Sequence, residues 1–203
     1  MLPSVMRALC DWLVAHGSSC LEFVGFLTGV LNVWLVTRRS LWNWPVGIIN
    51  AAVFLVVFAR SGLYSDTGLQ AVYLLLSAYG WWYWYRRTDA GSTVPITRID
   101  RRATVVLCAV GIASWATLAM VTHRIPGARL PWFDAALVAA SLVAQWMMTR
   151  KTLEHWIVWI VADVLYVVLF AIRGLTLTAV LYTIYTLLAL RGLQQWRRAY
   201  ATQ

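Results

Sequence analysis

Acidic side chains are scarce in this chain: eight Asp and Glu stand among 203 residues, and charged residues of both signs make up only 12%. Soluble domains carry about 25%. So little charge, beside 61% hydrophobic residues and a mean hydropathy of +0.68, excludes an ordinary water-soluble fold. The chain reads as an integral membrane protein with no soluble domain. Motifs that carry chemistry are missing as well. There is no Gly-rich phosphate-binding loop, no HExxH, no GxSxG and no cluster of carboxylates at one interface, which argues against an enzyme and against a pump that hydrolyses ATP itself. Cys10, Cys20 and Cys108 lack CxxC or other metal spacing, and His16, His123 and His155 are scattered. Neither a metal site, nor a cofactor, nor a disulfide framework is therefore expected.

Basic and aromatic residues are the abundant classes. Seventeen Lys and Arg give a formal net charge of +9, and there are 13 Trp and 9 Tyr. The basic residues sit in short gaps between apolar runs, where membrane topology selects for them, and form no basic stripe interleaved with aromatics, so nucleic-acid binding is not expected. Trp and Tyr rings collect at bilayer interfaces and in polar cavities between helices.

A helix needs roughly 20 apolar residues to cross the hydrocarbon core. Seven segments qualify, with the shorter ones leaning on Trp anchors or snorkelling Arg: Leu21 to Thr37, Trp44 to Ala59, Asp66 to Tyr85, Ala103 to Thr122, Phe133 to Thr149, Trp156 to Ile172, and Thr176 to Leu190. Residues 1–19, interrupted by Arg7, Asp11 and His16, read as an interfacial lead-in whose apolar core is too short for a signal peptide. Twelve of the 17 basic residues fall on the side reached after spans one, three, five and seven. The positive-inside bias places the C-terminus in the cytoplasm and the N-terminus outside.

Sliding the chain against itself by 112 residues aligns Leu41 to Arg86 with Leu153 to Arg198 without a gap, with about a third of positions identical. Trp44 pairs with Trp156, Gly80 with Gly192, Tyr73 with Tyr185, Trp84 with Trp196, and Thr37-Arg38-Arg39 with Thr149-Arg150-Lys151. Three spans plus one linker span is an even number of crossings, so the repeats are parallel, one of the symmetry classes from which secondary transporters are built. The expected fold is all-α, with seven transmembrane helices in a 3+1+3 arrangement of two parallel triple-helix repeats: a lead-in at 1–19, a first bundle at 20–87, a loop and inverter helix at 88–131, a second bundle at 132–198 and a tail at 199–203.

Polar groups in hydrocarbon are costly and should face a cavity or a partner helix. Asn43, Gly47, Asn50 and Phe54 share a face of span two; Asp66, Gln70, Tyr73, Ser77 and Trp81 line span three; Trp156, Trp159, Asp163 and Tyr166 line span six; Thr178, Tyr182 and Tyr185 line span seven. Amide, hydroxyl and aromatic groups together suit a polar aromatic solute better than an inorganic ion. Asp163 has three readings: attraction of a cationic ring, proton relay, or acceptance of hydrogen bonds from neighbouring hydroxyls. Asn32 and Gln145 fit either a cavity or interhelical glue. Trp12, Trp34, Trp84, Trp146 and Trp196 are read as interface anchors, and Asp66 and Asp134 as helix caps. A proton-coupled symporter and a purely structural or receptor role are the rival functions.

At Trp42-Asn43-Trp44-Pro45-Val46-Gly47-Ile48-Ile49-Asn50, then Gly62-Leu63-Tyr64-Ser65-Asp66, Gln70, Tyr73 and Gly80-Trp81-Trp82, the sequence resembles the PnuC family of nicotinamide riboside transporters. The second repeat agrees through Trp156, Trp159, Asp163, Tyr166, Leu175, Thr178-Ala179, Leu181-Tyr182 and Gly192. The resemblance implies a multi-pass protein of the bacterial inner membrane, similar in architecture to full-length SWEET proteins. It implies facilitated diffusion of nicotinamide riboside by alternating access, with a cytoplasmic nicotinamide riboside kinase trapping the substrate. Related Pnu proteins of thiamine or riboflavin keep those ligands open. Carried over to matching positions, substrate binding falls to Trp44, Asn50, Gln70, Tyr73, Trp156, Trp159, Asp163, Thr178, Tyr182 and Tyr185. Trp-rich lipid-facing surfaces are also able to pack into a homo-oligomer such as a trimer.

Overall fold

The computed structural model describes residues 20–60, 64–88, 94–124, 130–172 and 176–203. The lead-in at 1–19, with Trp12, lies outside them, as does the side chain of Asp66. Seven helices follow one another among the described residues: α1 Cys20–Thr37, α2 Asn43–Arg60, α3 Tyr64–Thr88, α4 Arg101–His123, α5 Pro131–Thr149, α6 His155–Ile172 and α7 Thr176–Ala201. Four of them, α1, α2, α4 and α6, are long and apolar enough to cross a bilayer on length and composition alone. The other three, α3, α5 and α7, carry much of the polar lining or a charged end. α7 runs past the expected Leu190 to Ala201, because its last three turns carry Arg191, Arg197 and Arg198 beyond the apolar run.

Packing follows the repeat. α1 packs on α2 and α2 on α3; α5 packs on α6 and α6 on α7; the two sets meet where α3 touches α5 and α7 touches α1. The six helices form a closed ring. α4 packs on α5 alone and leaves Val105, Val106, Ile112 and Val121 exposed, as a linker helix facing lipid would.

The helix ends repeat as faithfully as the helices. After α1, Arg39 N–H donates to Val36 O and Ser40 N–H to Leu35 O; after α5, Lys151 N–H donates to Met148 O and Thr152 N–H to Met147 O. These are two Schellman caps. Arg39 and Lys151 adopt φ of 56° and 58°, a left-handed conformation that costs a side-chain-bearing residue roughly 1–2 kcal/mol. α4 starts on Asp100, whose carboxylate accepts the Ala103 N–H at 2.6 Å. Asp134 is not a cap: Leu130 holds that position of α5, and Pro131 at the first helical position leaves Asp134 inside the first turn.

The apolar core lies at the end of the ring where α1, α3, α5 and α7 come close to their basic termini. Trp44, Trp84, Trp156 and Trp196 are all buried there with Val36, Met148, Val94 and Ile96. Trp84 and Trp196, expected as interface anchors, are 2% and 0% exposed. Their indole N–H groups cross between repeats, Trp84 to Thr149 O at 3.0 Å and Trp196 to Val36 O at 3.1 Å. An indole satisfied by a helix-end carbonyl has no need of the lipid interface.

Residues 94–100, expected as loop, form an ordered strap over the same end. Thr97 N–H donates to Lys151 O, Leu153 N–H to Thr97 O, and the Lys151 ammonium to Val94 O at 2.7 Å. Burial, with Arg39 as a second cause, pushes the Lys151 ammonium down to about 8.

The cysteines divide. Cys108 is free and exposed on α4, whereas Cys20 is disulfide-bonded, which the spacing did not suggest. A single bridge leaves no spacing pattern in a sequence.

Candidate functional site

Near mid-height of the ring, α3, α6 and α7 bring tyrosines around one carboxyl group. Asp163 is 4% exposed on α6, and Tyr73, Tyr182 and Tyr185 all lie within its electrostatic reach. Tyr166, one turn along from Asp163, sets its ring at a tilt 4.6 Å from Tyr182, which meets Tyr185 edge to face at 5.5 Å. The helical spacing of 163 and 166 and of 182 and 185 puts each pair on one face, so the convergence follows from how α6 packs on α7. In this structure the rings close on one another.

Opposite the tyrosines stand small residues related by the repeat. Ser141 of α5 hydrogen-bonds the Tyr73 hydroxyl, and at the equivalent position of α1 the Tyr185 hydroxyl lies against Gly29, where no Cβ would fit. Sequence reasoning missed Ser141 and Gly29. The signal was present, since the 112-residue offset that pairs Tyr73 with Tyr185 also pairs Gly29 with Ser141.

Gln70, Trp159 and Thr178 each precede a member of the cluster by three or four residues on the same helix, hence by about one turn. All are partly buried and none hydrogen-bonds a described residue, which leaves an amide, an indole N–H and a hydroxyl free to meet a solute. Asn50 is placed differently. Its amide donates to Gly25 O at 2.7 Å and to Thr28 Oγ1 at 3.0 Å, bracing α2 against α1 at the edge of the cluster. Gly47 and Phe54 of the same stripe also meet α1, at Asn32 and Gly25. Gln145 likewise donates to Ser77 Oγ across the α3–α5 contact, the interhelical role.

Trp44 and Trp156 lie apart from the tyrosines, in the core at the basic end. They are 1% and 2% exposed, and their rings press on Gly80 and Gly192 so closely that a Cβ there would overlap them. Each meets the tryptophan of its own repeat edge to face, Trp44 with Trp84 at 5.2 Å and Trp156 with Trp196 at 5.7 Å. Beside them Asn43 donates to Ser40 O, and His155 Nδ1, facing the Thr152 carbonyl at 2.6 Å, must carry the proton. Arg150 spreads its guanidinium over Tyr79, Tyr83 and Trp146, which ties it to the α3–α5 boundary.

Among the described residues no group of three or more His, Cys, Asp or Glu could hold a metal ion. A buried carboxyl among tyrosines, flanked by unspent neutral donors, is chemistry suited to recognition.

Residues 19–198 match the family model described as nicotinamide mononucleotide transporter. The chain belongs to this transporter family. Among its relatives are the nicotinamide riboside transporter PnuC of Escherichia coli K12, 28% identical over 88% of this chain and 85% of the relative, and the riboflavin/roseoflavin transporter RibM of Streptomyces davaonensis, 31% identical over 86% and 83%. A crystal structure of the vitamin B3 transporter PnuC superposes with a TM-score of 0.75 at 22% identity, covering 99% of this chain and 90% of that one. The fold is therefore that of PnuC, and the protein is a multi-pass membrane transporter, not an enzyme.

Proposed function

We propose that this chain carries nicotinamide riboside across the bacterial inner membrane by facilitated diffusion, with metabolic trapping by a cytoplasmic kinase. The observation that carries the reading is Asp163, buried among Tyr73, Tyr182 and Tyr185: a carboxylate beside aromatic faces attracts a delocalised pyridinium cation. Gln70 and Thr178 meet ribose hydroxyls and Trp159 offers a ring and an N–H. Trp44, Trp156 and Asn50 join the substrate only as it passes or as the helices move.

The units 20–87 and 132–198 rock against each other, with 88–131 as linker. The crossed indole bonds of Trp84 and Trp196 support alternating access, because they close the basic end and must part for it to open. The basic end faces the cytoplasm and the N-terminal end the outside. The disulfide at Cys20 agrees with an oxidising compartment there. The transport unit is one chain, assembled in a homo-oligomer such as a trimer.

Riboflavin is the second reading, favoured by the 31% identity to RibM. Thiamine, also cationic, and proton coupling through Asp163 are tested beside it. Uptake of radiolabelled nicotinamide riboside, thiamine and riboflavin into proteoliposomes, with and without a proton gradient, separates them. Saturable, gradient-independent nicotinamide riboside flux that Gln70→Ala and Trp159→Ala abolish is the expected result. Riboflavin or thiamine flux alone overturns the substrate, and gradient-driven accumulation overturns the uniport.

A further inference from the structure

The α6–α7 hairpin carries two cavities that the transport site does not use. At the basic end its helices and the strap border a half-open cleft of about 330 Å³, lined among others by Arg98, Glu154, Ile157, Leu193, Arg197 and Tyr200. Further along the same two helices, a second cavity of about 220 Å³ lies between Val164, Val168 and Leu187. Its two threonines are spent on their own helix, Thr183 donating to Ala179 O and Thr186 to Tyr182 O, so what remains is apolar.

The cavities lie along one groove. Ile157, Val161, Val164 and Val168 recur at helical steps and are all exposed. From Ile157 to Val168 the groove runs about 16 Å along the helix axis, close to half of a hydrocarbon core of about 30 Å. It therefore spans one leaflet, with a polar pocket at its interfacial end and an apolar one near mid-membrane.

The charge of the polar pocket is positive. Glu154 is already committed, accepting from Arg98 Nε at 3.1 Å and from the Ile99 N–H at 3.0 Å, which fixes the strap to the start of α6. Arg197 is exposed and makes no hydrogen bond or ion pair with a described residue. A free guanidinium beside a second one and a phenol matches a phosphate diester, which pairs with arginine through two parallel hydrogen bonds. The first repeat does not share this lining: Trp42, Pro45, Trp81 and Tyr85 stand where the second has Glu154, Ile157, Leu193 and Arg197.

We propose that this groove binds one anionic phospholipid from the leaflet at the basic end. Its phosphate sits against Arg197, Arg98 and Tyr200, and an acyl chain follows Ile157 to Val168 and Leu187. The occupant is a lipid rather than a soluble anion because the charged pocket continues into an apolar groove of leaflet depth.

The test is native mass spectrometry of the full-length protein in neutral detergent, titrated with phosphatidylglycerol or phosphatidylcholine. One phosphatidylglycerol per chain should be retained and phosphatidylcholine should not. Arg197→Gln should weaken retention by at least about fivefold, whereas Arg191→Gln, an exposed charge on the same helix outside the groove, should change it less than about twofold. Val168→Trp, which fills the apolar part without altering charge, should also weaken it. Equal binding of the two lipids, equal loss in both arginine variants, displacement by millimolar glycerol phosphate, or an oligomer that buries the groove and binds no phosphatidylglycerol would each overturn the proposal.

Discussion

Trp44 in the first repeat and Trp156 in the second are buried alike, press on Gly80 and Gly192, and meet Trp84 and Trp196 edge to face. Two to three turns further along the same helices the likeness ends, with Ala51 where the second repeat has Asp163 and Phe54 where it has Tyr166, and on the next helices Gln70 stands where it has Tyr182. Positions that hold helices together tolerate only one solution, since a ring pressed on a glycine leaves no room for another side chain. Positions that face a solute are free to differ. On the proposed function the second repeat supplies most of the recognition chemistry, on a scaffold that both supply equally.

The sharpest test of that division is Asp163→Asn. Losing a charged partner of the substrate should lower kcat/KM for a cationic solute by at least about tenfold, the equivalent of the 1.5–3 kcal/mol typical of hydrogen bonds to charged groups. Ala51→Ser, at the equivalent place in the first repeat, should leave initial uptake rates in proteoliposomes nearly unchanged. A similar loss in both would mean that the site is shared evenly.

Gly80→Ala and Gly192→Ala probe the scaffold. Each should destabilise the protein by about 1–3 kcal/mol through overpacking against Trp44 or Trp156, and by similar amounts. Thermal unfolding in detergent reads this directly, and one large and one negligible effect would break the symmetry claimed for the basic end.

The smallest effect distinguishes Lys151 from its counterpart Arg39. Burial holds the Lys151 ammonium at about 8 in the folded protein, below the value of about 10.4 in an unfolded chain. Between those values the unfolded state binds more protons, so stability should rise with pH across about 8 to 10.4. Lys151→Met should flatten that rise in the unfolding midpoint, whereas Arg39→Met should only shrink it, since burial is the larger cause of the depression and the Arg39 charge the smaller.

Much of the fold was legible because membrane spans and a duplication leave strong one-dimensional marks. The expected spans and the helices agree to within a few residues except at the end of α7, whose charged turns continue the helix beyond the apolar run. The site was legible in part. Helical spacing placed Tyr73, Asp163, Tyr182 and Tyr185 on inward faces, and the packing of α3, α6 and α7 brings them together. Spacing alone could not tell that the stripe through Gly47, Asn50 and Phe54 faces α1, because a polar face turned to a helix and one turned to a cavity have the same period. Nor could it tell that Trp84 and Trp196 are buried, since the carbonyls they reach lie 65 and 160 residues away in the chain.

The sequence by itself determined that this chain lives in a membrane, that seven helices follow one another among the described residues, which end of each is basic, and that two halves repeat, because hydropathy, charge bias and internal identity are properties of single segments. The tertiary structure alone decided which polar residues brace helices and which converge on Asp163, why the basic end is closed, and that 94–100 is a strap rather than a free loop. Those outcomes depend on contacts between segments far apart in the chain, where side chains from different helices compete for the same space and the same hydrogen bonds.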